Sequence, residues 1–287
     1  MKFSVIYQWP ESRGYLVHRL LPAAHCLAAE PGETYKQVLE RLPAECESFW
    51  FHTACSKTAC FPAGRSTLLA SLAERGVQVV NAQVTDISKR NIQQINREHG
   101  FVDVIAAEAG DPDELIIVKS NYNWVGGGER LLSAAEQAAI GLDPLEAVPE
   151  GFAYQVKPRS EVEPAYWTNP AYVCERFIQN DVGIWYRAWL NRPQLALIQL
   201  QNPAPIKKTQ PSKRLHANLL RTDDSTTSSK IASLVIQFIN AFQLDFGAVD
   251  VVTDLKGNAA VIDVNTTPWG AASLGVDQYL SANLSQL

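Results

Sequence analysis

Near its C-terminus the chain reads Phe246-Gly247-Ala248-Val249-Asp250-Val251-Val252-Thr253, then Asp254-Leu255-Lys256-Gly257-Asn258, then Ala259-Ala260-Val261-Ile262-Asp263-Val264-Asn265. Two apolar runs around a polar turn that contains glycine predict an antiparallel β-hairpin. If the turn is centred between Lys256 and Gly257, Asp250 lies directly across from Asp263, and directly opposed residues share one face of the sheet. Asn265 lies two residues further along and shares that face.

The two carboxylates of this hairpin predict a cation site. Like charges in direct cross-strand contact destabilise a hairpin unless a cation lies between them. Oxygen donors without histidine or cysteine favour Mg²⁺, with Mn²⁺ as the alternative, and Mg²⁺ commonly shares its coordination with substrate phosphates. The other interpretation is a surface hairpin with scattered acidic residues, because a slip of the pairing by one residue would turn Asp250 and Asp263 to opposite faces.

The hairpin also carries a resemblance to a known family. Gly247 to Asp250, followed by Ile262-Asp263-Val264-Asn265-Thr266-Thr267-Pro268, resembles the metal-binding end of the ATP-grasp superfamily. It is most similar to the branch that contains the ribosomal-protein glutamate ligases, which usually carries glutamate where this chain has the shorter Asp263. The resemblance covers about residues 87–270 through the order and spacing of motifs. It implies an α/β (α+β) ATP-grasp fold with two lobes that clasp ATP, and the metal ligands Asp250, Asp263 and Asn265.

A second motif lies upstream, where Leu115-Ile116-Ile117-Val118-Lys119 leads to Gly126-Gly127-Gly128. A strand that delivers a lysine just before a glycine-rich loop lets backbone N–H groups surround phosphate oxygens while the ammonium supplies charge. Three glycines alone also make an ordinary turn, and their spacing matches neither the Walker A motif nor the dinucleotide-binding motif. In combination with the hairpin, the stretch resembles the ATP-grasp phosphate loop.

The resemblance implies further nucleotide-binding residues. Lys89, near the start of a predicted helix, occupies the place of another nucleotide-binding lysine of the family, although it equally fits a solvated lysine in a first helical turn. The stretch from Tyr172 to Ile178 resembles the segment between the lobes that offers free backbone N–H and C=O groups to adenine. That likeness assigns four residues to the base: Glu175, Arg176, Phe177 and Ile178. Asp181, in the loop that follows, would accept the ribose hydroxyls.

Three more residues resemble the family's catalytic groups. Arg187 lies between aromatic residues on an alternating strand and needs an anionic partner there. The resembling branch carries Asp-x-Arg at this point, whereas this chain has Trp185 in the aspartate position. Arg214 and Asn218 resemble the family's Arg-x-x-x-Asn motif near the phosphates, where a guanidinium would neutralise charge on the transferring phosphoryl group.

Together these residues imply an ATP-dependent carboxylate–amine ligase. It would form an amide or peptide bond through an acylphosphate and release ADP and phosphate, with ATP and Mg²⁺ as cofactors. Two other functions remain open: an ATP-grasp kinase that phosphorylates a small-molecule hydroxyl, and a non-catalytic ATP-binding module. The expected partners are small-molecule or peptide carboxylates and amines, and the oligomeric state stays open, with a homodimer among the options.

Composition and apolar runs argue against other classes of protein. The 287 residues are 46% hydrophobic and 19% charged, which predicts a globular chain, and the net charge of -5 argues against nucleic-acid or membrane-surface binding. No apolar run approaches the ~18 residues of a membrane span. The stretch from Met1 to Tyr7 is too short for a signal peptide, so we expect a cytoplasmic protein.

The chain is expected to contain two domains. Residues 1–84 predict a small N-terminal α/β domain of open role, in which mixed helical spacing predicts a helix from Gly14 to about Glu30. Residues 85–287 would form the ATP-grasp domain, with a nucleotide lobe over about 85–180 and a metal-binding lobe over about 181–287. Asn202 to Ser212, with three prolines and two lysines, predicts a surface loop that could close over the site.

Overall fold

The computed structural model describes residues 3–57, 61–139, 148–180, 182–206, 212–223, 229–269 and 275–281. These residues form three β-sheets with helices between them, which confirms the mixed α/β class. Two features predicted from the sequence, Asp181 and residues 207–211 of the proposed lid, lie outside the described residues. No helix in the described part of the chain combines the length and the apolar character that a membrane span requires.

The first sheet is parallel and has the strand order β2-β1-β3-β4. Its elements are β1 (Ser4–Trp9), α1 (Leu16–Leu20), β2 (His25–Ala28), α2 (Tyr35–Arg41), β3 (Ser48–Thr53), α3 (Arg65–Glu74) and β4 (Gln78–Val80). The predicted helix from Gly14 to Glu30 is wrong in its second half, since α1 ends at Leu20 and β2 pairs with β1. Pro22 explains the end of the helix, because proline disfavours helical backbone at the residue before it.

The second sheet is antiparallel and has the order β6-β5-β7. Its part of the chain contains α4 (Lys89–Glu98), β5 (Leu115–Ser120), α5 (Ala134–Ala139), β6 (Gln155–Pro158), α6 (Pro164–Thr168) and β7 (Tyr172–Arg176). Short 3₁₀ turns at Asn123–Gly126 and Glu129–Leu131 follow β5. This sheet therefore carries both Lys119 and the start of the predicted adenine segment.

The third sheet is antiparallel and has the order β10-β9-β8-β11-β12. Its elements are β8 (Ile184–Asn191), β9 (Gln194–Gln201), β10 (Lys213–Arg221), α7 (Lys230–Ala241), β11 (Phe246–Thr253), β12 (Ala259–Asn265) and α8 (Val276–Ser281). One face packs on the first sheet, where Trp50 and Phe246 lie in one apolar cluster. The other face packs on α4 and α7 through a cluster that contains Ile92, Phe238 and Val249.

The β11–β12 pairing confirms that Asp250 lies opposite Asp263, but a β-bulge produces this register. Nearer the turn, Val251 pairs with Val261, and Ile262 is then an extra residue without a partner in the ladder. Continued without the bulge, the pairing would set Asp250 opposite Ile262 and turn Asp263 to the other face of the sheet. The bulge therefore corrects the one-residue slip that would have separated the two acids.

Candidate functional site

The two carboxylates on the strands of the β11–β12 hairpin are each paired with a cation. Lys89 Nζ lies 2.7 Å from Asp263 Oδ1, and Arg187 Nε and Nη2 lie 2.7 and 2.9 Å from the two carboxylate oxygens of Asp250. The Lys89 side chain is only 2% exposed, so the interpretation of Lys89 as a solvated lysine is wrong. Two carboxylates and two cations thus form a cluster of balanced charge.

Lys89 reaches Asp263 because α4 is anchored on β12. The side-chain amides of Gln93 and Asn96 both donate to the carbonyl oxygen of Val261, at 3.1 and 3.0 Å. These contacts hold the body of α4 against β12, and Lys89 at the start of the helix then lies within reach of Asp263.

Arg187 finds its partner on the neighbouring strand and not in the residue two positions before it. Asp250 is directly opposite Arg187 in the β8–β11 ladder, and directly opposed residues share a face. The guanidinium carbon also lies 5.3 Å from the ring centroid of Trp185 and 5.6 Å from that of Trp189. Asp250 therefore provides the support that an Asp-x-Arg sequence would otherwise supply, and Trp185 instead packs against the guanidinium.

Burial and charge act in opposite directions on these cations. Burial by itself lowers the pKa of Lys89, because an ammonium loses hydration, but the Asp263 carboxylate, with smaller contributions from Tyr154 and Glu175, outweighs burial and raises it. For Arg187 burial also lowers the pKa, and the charge and hydrogen bonds of Asp250 raise it overall. Both side chains are therefore cationic at neutral pH.

A cavity between the second and third sheets brings most of the predicted nucleotide residues together. Its polar lining includes Lys89, Lys119, Glu175, Arg176 and Asp263. Its apolar lining includes Val104, Ile117, Phe177, Ile178, Val252 and Ile262. Ile262, the bulge residue of the hairpin, thus contributes to the apolar lining of this cavity. Its neighbour Asp263 contributes to the charged lining.

Lys119 and Glu175 form a buried ion pair in this cavity. Glu175 opposes Ile117 in the β5–β7 ladder, and Lys119, two residues further along β5, lies on the same face. Lys119 Nζ donates to Glu175 Oε2, while Glu175 Oε1 is buried without a hydrogen-bond partner in the described part of the chain. An unpaired buried oxygen beside a cavity can accept a hydrogen bond from a hydroxyl or amino group of a ligand.

The predicted adenine segment is less open than expected. The amides of Arg176 and Phe177 already donate to the carbonyl oxygens of Val104 and Leu115, at 2.7 and 2.8 Å. The expectation of free backbone groups is therefore wrong at these two amides, because the chain before β5 bonds to the first and the start of β5 bonds to the second. Within the described ranges the amide of Ile178 has no partner.

A second cavity adjoins the first. Asp263, Tyr154 and Ile206 line both of them. Its other lining residues include Tyr15, Trp124, Phe152, Arg187, Asn265 and Trp269. Of these, Tyr15, Trp124, Phe152, Tyr154 and Trp269 were not predicted, because scattered aromatic residues carry no motif and meet only in the folded chain.

The hairpin offers oxygen donors that fit a hard cation. Asp250, Asp263 and Asn265 lie on one face of the hairpin, and carboxylate and amide oxygens suit Mg²⁺. Asn265 Oδ1 already accepts from the amide and the hydroxyl of Thr267, at 2.8 and 3.2 Å. Across the described residues, no three His, Cys, Asp or Glu side chains group as metal ligands. A metal here would therefore rely on two carboxylates and the amide, and would share the carboxylates with Lys89 and Arg187.

Similar solved structures decide the fold. A RimK domain ATP-grasp protein from Sphaerobacter thermophilus aligns with a TM-score of 0.51 at 14% identity, over 97% of each chain. The ATP-grasp ligase PsnB, complexed with precursor peptide PsnA2 and AMPPNP, aligns with a TM-score of 0.51 at 13% identity, over 99% of this chain and 98% of that one. The chain has the ATP-grasp fold.

Sequence comparison adds nothing to this assignment. No protein-family model and no curated protein matches the chain. A further PsnB structure, complexed with minimal precursor, Mg and ADP, aligns with a TM-score of 0.50 at 13% identity, over 99% of this chain and 97% of that one. At such identities the similarity establishes the ATP-grasp fold and leaves the reaction to the residues of the site.

The glycine segment lies away from the first cavity, which contains Lys119. Gly126 and Gly128 are buried, and none of Gly126, Gly127 and Gly128 lines that cavity. The segment is docked on the N-terminal part of the chain, where the amide of Asn123 donates to Ser56 Oγ at 2.7 Å and Glu129 accepts from the amide of Ser56. The role of this segment as a phosphate loop therefore stays a prediction, because its glycines do not line the cavity that contains Lys119.

Arg214 and Asn218 are separated by a second bulge, in β10. Arg214 opposes Leu200, on the face of the sheet that carries Arg187, whereas Asn218 opposes Leu197, on the other face. Neither residue lines the two cavities. Four-residue spacing would put both on one face of a regular strand, and the inserted residue reverses that expectation.

Proposed function

We propose that this protein is an ATP-dependent carboxylate–amine ligase that binds the nucleotide in the first cavity and the acid in the second. One observation carries the proposal: Asp263 lines both cavities, with Lys89 bonded to it and Arg187 on the wall of the second. A phosphate tail and a substrate carboxylate in these cavities would therefore meet beside paired acids and fixed cations.

The first cavity suits a nucleotide in both polarity and layout. Ile117 and Ile262 offer apolar surface to a flat base, and the amide of Ile178 and the buried oxygen of Glu175 offer a donor and an acceptor. Lys119 supplies charge for phosphate oxygens. Magnesium held by the hairpin's oxygen donors would neutralise part of the phosphate charge.

The chemistry needs no covalent bond to the protein. An oxygen of the substrate carboxylate bonds to the terminal phosphorus of ATP, and the bond from that phosphorus to the bridging oxygen of ADP breaks. The amine nitrogen then bonds to the acyl carbon and loses a proton, while the carbon–oxygen bond to phosphate breaks. Lys89 and Arg187 would orient the reactants and stabilise the negative charge, which is the kind of catalysis that phosphoryl transfer requires.

The solved relatives support the class of substrate. The PsnB structures contain a precursor peptide with AMPPNP, or a minimal precursor with Mg and ADP. By analogy, we infer a small-molecule or peptide carboxylate and an amine as the substrates of this chain, and ATP with Mg²⁺ as its cofactors.

A non-catalytic ATP-binding module is the second candidate. The observation in its favour is the charge balance of the hairpin, since each carboxylate already has a cationic partner. A metal would have to compete with Lys89 and Arg187 for these oxygens. The two candidates differ in turnover and agree on Mg²⁺-dependent nucleotide binding.

The stoichiometry of the reaction tests the proposal. The protein is incubated with ATP, Mg²⁺ and pairs of carboxylates and amines, beginning with amino acids and peptides. The ligase predicts equal amounts of ADP, phosphate and amide, and ¹⁸O from the labelled carboxylate in the phosphate. AMP with pyrophosphate would refute it. ADP with a stable phosphorylated product and no free phosphate would select a kinase, and binding without turnover would select the module.

A further inference from the structure

Two tryptophans at the rim of the second cavity are largely exposed. Trp124 is 70% exposed and Trp269 is 55% exposed, and both line the cavity that Arg187 and Asp263 also line. A single exposed aromatic residue needs no explanation. Here, however, two exposed indoles line one cavity together with charged side chains, so a ligand in that cavity can contact both aromatic and charged groups.

Each indole lies directly against a glycine. A Cβ atom added at Gly14 would lie 2.3 Å from Cζ3 of Trp269, and one added at Gly127 would lie 2.2 Å from Cε3 of Trp124. Any larger residue would therefore displace the ring. The ring of Tyr15 packs edge-on against Trp269, with centroids 5.0 Å apart. Close packing on one side fixes both rings while their other surface stays open.

The backbone that carries Trp124 is also held in an uncommon conformation. Trp124 has φ 46 and ψ 40, and Val125 has φ 55 and ψ 30, so two consecutive non-glycine residues are left-handed. For a β-branched residue this region is a genuine outlier, and such strain persists only where surrounding contacts enforce it. The contact of Asn123 with Ser56 and that of Trp9 Nε1 with Gly128 O, at 3.4 Å, supply that enforcement.

We propose that Trp124 and Trp269 select the acid substrate, and that this substrate is a carboxylic acid with a planar aromatic group. The aromatic group lies between the two indoles in the cavity that Phe152 and Tyr154 also line, and the carboxylate lies toward Arg187. The assignment of the carboxylate rests on the proposed ligase function. Aromatic surfaces on several sides favour a flat apolar group over a flexible polar one, because stacked and edge-on pairs add to the burial of apolar area.

Binding in the absence of ATP tests the inference separately from turnover. N-acetyl-L-tryptophan, N-acetylglycine and tryptamine are titrated into the full chain by calorimetry. We expect N-acetyl-L-tryptophan to bind at least about tenfold more tightly than N-acetylglycine, which lacks the ring, and than tryptamine, which lacks the carboxylate. Equal affinity for the ringed and ringless acids, or preference for tryptamine, would overturn the inference.

Variants identify the residues. Trp124→Leu and Trp269→Leu are expected to weaken the binding of N-acetyl-L-tryptophan by about tenfold each, and Trp124→Phe should recover most of the affinity. Trp167→Leu is the control, since Trp167 lies in α6, is half-buried and lies outside both cavities. Urea midpoints of all variants show whether they fold. Folded tryptophan variants that bind like the control contradict the inference.

The two proposals can fail independently. If the ligase turns over a small aliphatic acid and neither tryptophan variant changes the KM for that acid, the aromatic specificity is wrong and the ligase stands. If aromatic acids bind as expected but ATP is neither bound nor hydrolysed with any amine, the ligase function is wrong, and the cavity remains a site for aromatic acids.

Discussion

Lys89 and Asp263 are 174 residues apart in the chain, and their ammonium nitrogen and carboxylate oxygen lie 2.7 Å apart. The Lys89 side chain is 2% exposed and that of Asp263 is 7% exposed. The contact joins the helix that opens the second sheet's part of the chain to the last strand of the third sheet. The same ion pair therefore holds two parts of the fold together and balances charge in the proposed active site.

Loss of the ammonium should leave a buried charge uncompensated. We expect Lys89→Met to lower the free energy of unfolding by about 3–5 kcal/mol, measured by urea denaturation, because Asp263 loses its partner. The double variant Lys89→Met, Asp263→Asn should recover part of the lost stability, since no unpaired charge then remains buried. Lys256→Met, on the exposed hairpin turn, is the control and should change stability by less than about 0.5 kcal/mol. A Lys89→Met protein with wild-type stability would contradict the buried pair.

Arg187 and Asp250 should be energetically coupled. A double-mutant cycle with Arg187→Met and Asp250→Asn, followed by urea denaturation, is expected to give a coupling of about 1–3 kcal/mol, because the two hydrogen bonds are largely shielded from water. The control cycle uses Lys157 and Glu163, whose 2.9 Å pair is more exposed and should couple by about 0–1 kcal/mol. Strictly additive effects at Arg187 and Asp250 would argue against their pairing.

Lys119 should matter for nucleotide affinity. We expect Lys119→Met to weaken the binding of AMPPNP by about tenfold to a hundredfold, because a charged hydrogen bond to phosphate is lost. Glu175→Gln, which keeps the lysine and removes the carboxylate charge, separates the role of Lys119 from that of its partner. Lys157→Met is the control: Lys157 lies on the same sheet outside the cavity, and the variant should bind AMPPNP like the wild type. Calorimetry gives the dissociation constants, and unchanged affinity in Lys119→Met would exclude phosphate contact.

His52 should make stability depend on pH on the acid side. Its ring is fully buried against Tyr15 and Phe246, and burial, with a smaller effect of His18, lowers the pKa of His52 to about 3. Between about pH 6.5 and 3 the unfolded chain binds a proton here that the folded chain does not, so the free energy of unfolding falls as the pH falls.

The expected loss is about 2 kcal/mol between pH 7 and pH 5. Urea denaturation at the two pH values should show it in the wild type, and a folded His52→Phe variant should lose about that much less. His99→Phe, at an exposed histidine, is the control and should behave like the wild type. The same pH dependence in His52→Phe would assign the effect to other groups.

The β11–β12 hairpin could be predicted from a local pattern, and the ATP-grasp fold from a resemblance in the order and spacing of motifs, whereas the bulge that sets Asp250 opposite Asp263 could not be predicted. Alternating apolar residues around a turn define a hairpin, and the period of two along a strand decides which side chains share a face. Lys119, Glu175 and Ile178 were assigned by their order along the chain, and they line one cavity. The division into domains at residue 84 stays a prediction. Only the first part of the helix predicted over residues 14–30 forms, as α1, and β2 takes the place of its second half after Pro22.

The amino-acid sequence by itself determined that the last hairpin forms and which oxygen donors it carries, because these follow from residue type and spacing, and the order of its motifs indicated the fold. The tertiary structure alone decided that Lys89 is buried against Asp263, that Asp250 supports Arg187, and that Trp124 and Trp269 share one cavity. Bulges and docking of distant segments depend on the summed packing of the whole core, and no local pattern encodes that sum.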